Sequence, residues 1–233
     1  FLKMKQVKNS IRPQKLYGSA CMELDKTKKY DLILGSQSPR RKELLSWLNI
    51  PFTILTADLD EVSNETEPTS VAVDLASQKA HAVFLNNEAQ QKLEKIPFII
   101  SSDTIVVLDG KIYGKPKDKN EAREILSELS NRTHQVITGV SFLFIDQNSK
   151  KSREHLFYDS TEVTFNEITP DLMEQYIATG DSLDKAGAYG IQGPSLTFIS
   201  KVNGSYSNVV GFPLDKVVSE LKIVLGESWR DSF

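Results

Sequence analysis

Apolar residues follow two different spacings along the chain, and stretches of the two kinds alternate. Short runs rich in valine, isoleucine and phenylalanine, bounded by glycine, proline or polar residues, predict strands. Apolar residues three and four positions apart predict helices with one buried face. The predicted strands cover residues 31–34, 51–55, 99–108, 111–113, 135–145, 157–165, 197–202 and 206–210. The predicted helices begin near Pro39, Ser70, Asp118 or Asn120, Pro170 and Pro213. This alternation predicts an α/β fold.

Two dipeptides predict tight turns between strands. Asp109-Gly110 and Asn203-Gly204 each separate two predicted strands, and both dipeptides favour the two-residue turns of β-hairpins. We therefore expect a hairpin at each place. The strands at 135–145 and 157–165 are joined by a polar segment whose length suits an antiparallel pair.

The strand at residues 99–108 carries one residue that its apolar pattern does not explain. Asp103 lies in the middle of this run. A buried carboxylate must be paired with a cation, bound to a metal or hydrogen-bonded, because burial without a partner is costly. The alternative is that Asp103 lies at an exposed strand end or caps a bend with Ser101 and Ser102. The basic residues and glycines elsewhere in the chain favour the functional interpretation.

Composition limits the class of protein. The chain has 233 residues, enough for one large domain, and its 39% hydrophobic and 25% charged residues are usual for a globular protein. No apolar run approaches the roughly 20 residues of a membrane helix, and a net charge of -3 does not predict a nucleic-acid partner. A single cysteine, Cys21, excludes an internal disulfide and fits a reducing compartment. We therefore expect a cytoplasmic protein with no membrane contact and no signal peptide.

Residues 1–29 differ in character from the rest of the chain. They are rich in lysine, contain few acidic residues and show weak periodicity. We interpret them as a basic N-terminal extension, and residues 30–233 as a single domain. The extension is either a solvated segment packed loosely on the domain, which we favour, or an arm for targeting or nucleic-acid binding.

A predicted anion site follows the first strand. The glycine-serine turn at residues 35–38 leads into a helix with Ser38 as the expected N-cap. The N-terminus of a helix offers free N–H groups and the positive end of the helix dipole. Arg40 and Arg41 stand on the first turn of this helix, where cations are unfavourable unless an anion is near. The alternative is that both arginines are exposed and paired with Glu43 or solvent.

Four further polar residues are candidates because of their positions. Glu61 belongs to an acidic loop that is either a solvated turn or a site for a hard cation such as Mg2+. Lys79 lies on the apolar stripe of a helix and either reaches its edge or projects into a pocket. Lys115, between a glycine and a proline, is either a surface lysine or approaches the same cleft as Asp103. Gln192 lies in a glycine-rich loop that is either flexible or brings an amide donor and acceptor to a base edge.

Several segments carry a resemblance when they are taken together. They are residues 34–45 (LGSQSPRRKELL), 102–106 (SDTIV), 114–116 (GKP), 129–139 (LSNRTHQVITG), 184–193 (DKAGAYGIQG) and 203–214 (NGSYSNVVGFPL). They resemble the Maf family, the septum-formation-inhibitor-like nucleoside triphosphate pyrophosphatases. The likeness runs in unbroken order from about Tyr30 to Leu225, which makes it specific although each motif alone is weak.

The resemblance implies an activity and a fold. The activity is hydrolysis of dTTP and UTP, and by extension of modified pyrimidine nucleotides, to the monophosphate and pyrophosphate with Mg2+ or Mn2+. The fold is Maf/ITPase-like: a single α/β domain of two lobes, with a mixed, twisted β-sheet flanked by helices and a central cleft. The family likeness also suggests a homodimer.

The resemblance also implies roles for individual residues. The catalytic residues are Asp103, Glu61, Lys79 and Lys115, with Asp103 as general base and both lysines on the phosphates. The metal ligands are Asp103 and Glu61, and whether Asp103 acts mainly as base or as ligand stays open. The substrate-binding residues are Ser36, Ser38, Arg40, Arg41, Thr104 and Gln192. Arg40, Thr104 and Gln192 go with the family branch that prefers dTTP and UTP.

Two other classes of function compete with this interpretation. One is a protein that senses nucleotides without hydrolysing them and takes part in cell-division control. The other is a nucleic-acid binder that uses the basic extension, which we rank last. The presence of every expected charged residue in the family segments favours an active enzyme.

Overall fold

A computed structural model describes residues 30–86, 95–146 and 149–233. The basic extension predicted at residues 1–29, with Cys21, lies outside these ranges. The strands are β1 (Tyr30–Leu34), β2 (Thr53–Ile54), β3 (Ile96–Leu108), β4 (Lys111–Tyr113), β5 (Thr133–Ile145), β6 (Ser152–Phe165) and β7 (Ile199–Asn203). The helices are α1 (Pro39–Ser46), α2 (Pro68–Leu85), α3 (Lys119–Leu129), α4 (Pro170–Ala178), α5 (Tyr206–Val210) and α6 (Leu214–Leu225). None of the helices in these ranges is long and apolar enough to span a bilayer.

The strands form one mixed sheet flanked by helices, which confirms the predicted fold class. Their order is β2-β1-β3-β5-β6-β7, and β4 also pairs with β3. β1 is parallel to β2 and β3, and the other pairs are antiparallel. The hairpin predicted at Asp109-Gly110 is confirmed, because both residues have the positive φ that its turn type requires.

The hairpin predicted at Asn203-Gly204 is wrong. β7 ends at Asn203, and the residues that follow form helix α5 instead of a returning strand. Ser205 caps this helix, since its side chain accepts a hydrogen bond from the backbone N–H of Asn208. The side chain of Asn208 is itself buried and donates to the carbonyl of Val136 in β5. A serine cap and tertiary contacts therefore override the turn preference of the dipeptide.

Three smaller points concern the ends of the predicted elements. The strand predicted at 51–55 shrinks to Thr53–Ile54, which is exposed at the edge of the sheet. Ser38 occupies the N-cap position of α1, but its side chain makes no capping hydrogen bond. Of the two candidate caps for α3, Asp118 takes the role and accepts from the N–H groups of Asn120 and Glu121.

One edge of β3 is only partly covered by neighbouring strands. On this edge β1 pairs with residues 96–100, and β4 pairs with residues 106–108. Residues 101–105, which include Asp103, have no strand beside them there in the described part of the chain, while their other edge pairs with β5. Buried backbone groups require other partners where a strand is missing. This open interval is therefore the place where loops and side chains meet the sheet.

Helix α2 approaches the sheet closely beside this interval because the residues between them are small. Ala72, Ala76 and Ala80 are fully buried and lie four residues apart, on one face of the helix. Gly139 of β5 lies beneath the helix, and a Cβ there would overlap the backbone of Ala72. Gly139 is also the residue of β5 paired with Asp103. The glycine thus lets α2 reach the sheet at the level of Asp103.

We predict that Gly139→Ala lowers the free energy of unfolding by about 1–3 kcal/mol, because α2 must move away from the sheet to admit the methyl group. Gly114→Ala is the matched control, since a Cβ at Gly114 meets no atom within 4 Å. Urea denaturation of both variants measures the difference. Equal stability of the two variants would show that α2 does not rest on Gly139.

Candidate active site

All the side chains predicted for the site line one cleft, of about 930 Å3, beside the open interval of β3. They are Ser36, Ser38, Arg40, Arg41, Glu61, Lys79, Asp103, Thr104, Lys115 and Gln192. Residues that are up to 156 positions apart in sequence, from Ser36 to Gln192, are thus brought together by the fold. Their chemical roles stay predictions.

The carboxylate of Asp103 is paired with Lys79 of α2. The Lys79 ammonium donates a hydrogen bond to Asp103 Oδ1, and its Nζ also lies 2.9 Å from Oε2 of Glu61. The side chains of Lys79 and Asp103 are only 19% and 13% exposed, so Lys79 projects into the pocket and not to the helix edge. One ammonium therefore bridges two carboxylates whose negative charges repel each other.

These two carboxylates, which were predicted as metal ligands, lie on the same side of the cleft. Among residues 30–86, 95–146 and 149–233, no group of three or more histidine, cysteine or acidic side chains is arranged to hold a metal ion. Mg2+ in nucleotide sites is commonly held by one or two carboxylates together with water and substrate phosphates. Asp103 and Glu61 therefore fit a cation that is bound jointly with a polyphosphate.

Arg41 fills the open interval of β3. It donates from NH1 to the carbonyl of Ser102 at 2.7 Å and from NH2 to Oγ1 of Thr104 at 3.2 Å. It also donates from Nε to the carbonyl of Gly211 at 2.9 Å and from NH1 to Oγ of Ser36 at 3.4 Å. The arginine thus ties the turn after β1 and the residue after α5 to β3. Most of its N–H groups serve the protein itself.

The charge of Arg41 faces the cleft in a buried setting. Burial lowers the pKa of Arg41, and the neighbouring charge of Arg40 acts in the same direction, while Asp103 and Glu61 oppose this effect. Arginine starts from a pKa so high that the guanidinium remains protonated at neutral pH. Arg41 therefore contributes a fixed positive charge at the base of the site.

Asp103 and Thr104 point to opposite faces of the sheet because successive residues of a strand alternate. Asp103 faces α2 and Lys79. Thr104 faces Arg41, and its hydroxyl lies 3.0 Å from that of Thr138, its partner in β5. The cleft therefore wraps around the open edge of β3 and presents groups from both faces.

The glycine-rich loop at residues 184–193 forms another wall of the cleft. Gly187 has a φ of 67°, and a Cβ at this position would lie 2.7 Å from the side chain of Val106 in β3. A glycine is therefore needed for the loop to lie against the strand. Tyr189 of the same loop is buried, so the loop is packed on the domain, whereas Gln192 is exposed in the cleft.

A charged network at the start of this loop was not among the predicted site residues. Asp181, Asp184 and Lys185 all line the cleft. Asp184 Oδ2 accepts a hydrogen bond from NH1 of Arg40 at 3.2 Å, and Lys185 donates to both aspartates. The available signal was an acidic residue and a lysine directly before a glycine-rich stretch.

Lys115 differs from the other lysines of the cleft. Its side chain is exposed, and within the described part of the chain its ammonium has no hydrogen-bond or ion-pair partner. An ammonium offers three donors and acts as a point charge. Lys115 is thus a cation that is available to a ligand without breaking an existing contact.

Behind the loop, His134 of β5 supports Tyr189. The His134 ring is 2% exposed, and its Nε2 lies 2.7 Å from the hydroxyl of Tyr189. Burial lowers the pKa of His134 to about 4, and burial also raises the pKa of Tyr189. Both rings are therefore neutral at physiological pH and form an uncharged contact beneath the cleft.

The chain is similar to known proteins over most of its length. A family described as Maf-like protein matches residues 31–224. A dTTP/UTP pyrophosphatase of Agathobacter rectalis is 42% identical over 197 residues, which cover 82% of this chain and 96% of the relative. Proteins of the same description from Bacillus cytotoxicus and Bacillus pumilus are 43% and 44% identical, each over 82% of this chain and over 93% and 95% of their own lengths.

We predict that His134 makes the fold less stable as the pH falls from about 6.5 to about 4. In this range the unfolded chain takes up a proton that the buried ring does not, because the folded pKa is the lower one. A difference of that size corresponds to about 2–4 kcal/mol. The expected result is a flatter dependence of unfolding free energy on pH in His134→Gln, measured by urea denaturation. At pH 7.5 the ring is neutral in both states, so stability there gives the cost of the substitution itself. Parallel curves for the two proteins would contradict the prediction.

Proposed function

The chain belongs to the family of Maf-like proteins, and from this membership and the geometry of the cleft we propose that it is a nucleoside triphosphate pyrophosphatase. Its proposed substrates are dTTP and UTP, with modified pyrimidine nucleotides as a further class. Its products are the nucleoside monophosphate and pyrophosphate. The observation that carries the proposal is the position of Asp103, paired with Lys79 and lining the same cleft as two arginines and a second lysine.

A triphosphate carries several negative charges, which must be offset before a nucleophile can approach phosphorus. The cleft supplies Arg41 and Lys115 for this purpose, together with the N-terminus of α1. Arg41 is fixed by the protein, whereas Lys115 is free to move onto a phosphate. We propose that Arg41 contributes a fixed positive electrostatic potential at the triphosphate, and that Lys115 contacts a phosphate directly.

The proposed reaction is an in-line displacement at the α-phosphorus. A water molecule forms a new bond to this atom, the bond to the bridging oxygen breaks, and pyrophosphate leaves. Asp103 accepts the proton of the attacking water, and Glu61 orients that water or binds the metal. Lys79 holds both carboxylates on the same side of the cleft.

We further propose a divalent cation, Mg2+ or Mn2+, as cofactor. Asp103 and Glu61 would hold it together with the substrate phosphates. When bound, such an ion offsets the charge of the leaving pyrophosphate. The support for this proposal is the chemistry of the two carboxylates that face one ammonium.

We also propose a cellular location and an oligomeric state. A cytoplasmic location is supported by the single cysteine of the chain. A homodimer is supported by family likeness, and light scattering of the purified chain tests it, since a monomer at all concentrations would refute it.

We predict that pyrophosphate is released from dTTP and UTP in the presence of Mg2+ or Mn2+, with kcat/KM at least about tenfold above the values for CTP, ATP and GTP. EDTA should abolish release, and added Mg2+ or Mn2+ should restore it. Pyrophosphate and monophosphate should appear in equal amounts, because cleavage occurs between the α- and β-phosphates. Saturable binding of nucleotides without any release would contradict the proposal and favour the nucleotide-sensing alternative.

We predict that Asp103→Asn lowers kcat for dTTP by about 100- to 10,000-fold, because the amide cannot accept the proton of the attacking water. Nucleotide binding, measured by calorimetry, should remain detectable because the cations of the cleft are unchanged. Asp109→Asn is the control: Asp109 lies in an exposed turn outside the cleft with a positive φ that asparagine tolerates. Wild-type turnover in Asp103→Asn would remove this residue from the mechanism.

A further inference from the structure

Lys185 directs its ammonium toward Asp181 and Asp184, and all three of its N–H groups are used in these contacts. Its Nζ donates to the backbone carbonyl of Asp181 at 2.8 Å, to Oδ1 of Asp181 at 2.9 Å and to Oδ1 of Asp184 at 2.6 Å. An ammonium has three N–H groups, so all of them are used. The side chain is only 12% exposed, and a Cβ at Gly190 would overlap its methylene groups. Lys185 is therefore a fixed internal part of the glycine-rich loop.

Asp184 links Lys185 to Arg40 and so holds the Arg40 side chain in place. The carboxylate divides its two oxygens, with Oδ1 facing Lys185 and Oδ2 accepting from NH1 of Arg40 at 3.2 Å. Lys185 and Arg40 lower the pKa of Asp184 even though partial burial acts in the opposite direction, so the carboxylate is charged at neutral pH. The contact joins the first turn of α1 to a loop 144 residues away in sequence.

The position of Arg40 differs from that of the neighbouring arginine. Arg41 turns inward to β3, whereas Arg40 is drawn toward the loop that carries Gln192. A guanidinium offers only donors, and an amide offers a donor and an acceptor. Uracil and thymine present the O4 acceptor where cytosine presents an N4–H2 donor. A donor that reaches O4 of a bound base from this position would favour uracil and thymine over cytosine.

We propose that Asp184, anchored by Lys185, is a positioning residue that holds Arg40 on the side of the cleft where the base is read, and so helps to determine preference for UTP over CTP. This inference rests on the proposed function. It assigns Asp184 no contact with substrate, since the aspartate acts through Arg40. The remaining cations of the cleft are left to the phosphates.

The test is the ratio of kcat/KM for UTP to that for CTP, measured by pyrophosphate release. We expect Asp184→Asn to lower this ratio about tenfold, which corresponds to about 1.4 kcal/mol of discrimination. Arg40→Gln should lower the ratio by a similar factor, and the double variant should lose no more than either single variant because both act through one contact. Asp184→Glu keeps the charge and should retain most of the ratio.

Asp171→Asn is the matched control. Asp171 is exposed on α4 and does not line the cleft, so the ratio should stay within about twofold of wild type. The side chain of Asp184 is 64% exposed, and thermal unfolding checks that its variants fold. If Asp184→Asn does not fold, the comparison of Asp184→Glu with Arg40→Gln takes its place.

Three results would overturn the inference. They are an unchanged ratio in Asp184→Asn, an equal loss for both nucleotides, and losses in the single variants that multiply in the double variant. Absence of pyrophosphate release by the wild-type protein would instead refute the proposed function. In that case equilibrium binding of UTP and CTP gives the same ratio, and a ratio that Asp184→Asn leaves unchanged would overturn the inference as well.

Discussion

The site depends on one interval of backbone, residues 101–105 of β3, which no strand among the described residues pairs with on one edge. β1 and β4 cover that edge above and below the interval but not within it. Backbone groups that lack a strand partner must find another, and the Arg41 guanidinium supplies one by bonding to the carbonyl of Ser102. The missing strand thus places a cation and a carboxylate, Asp103, at the same point of the fold.

A second constraint is the close approach of α2 to the sheet. The buried alanines of the helix and Gly139 of β5 are small residues, so α2 lies close to the sheet at this level. Lys79 can therefore reach Asp103 with its ammonium while its side chain stays mostly shielded from solvent. Bulkier residues in these positions would increase the separation of the layers and leave the carboxylate without its partner, which is costly in a buried place.

Much of this arrangement could be predicted from the sequence, because these features depend on residues that are close together in the chain. The apolar run around Asp103, the Asp109-Gly110 turn and the first turn of α1 all have local signals that the fold preserves. The error at Asn203-Gly204 has a different cause: the Ser205 cap lies directly after the dipeptide, but the burial of α5 against β5 depends on residues that are distant in sequence. The same holds for the link between Arg40 and Asp184, which no sequence spacing could reveal.

The alternation of Asp103 and Thr104 across β3 divides the residues that pack around them into two sets, one on each face of the sheet. Asp103 is enclosed by α2 and the acidic loop, and Thr104 by Arg41 and the residue after α5. Packing changes on one face leave the other face largely unaffected when no neighbours are shared. Substitutions at positions that contact only the Thr104 face can therefore reshape that face of the cleft while the pairing of Lys79 with Asp103 on the other face is retained.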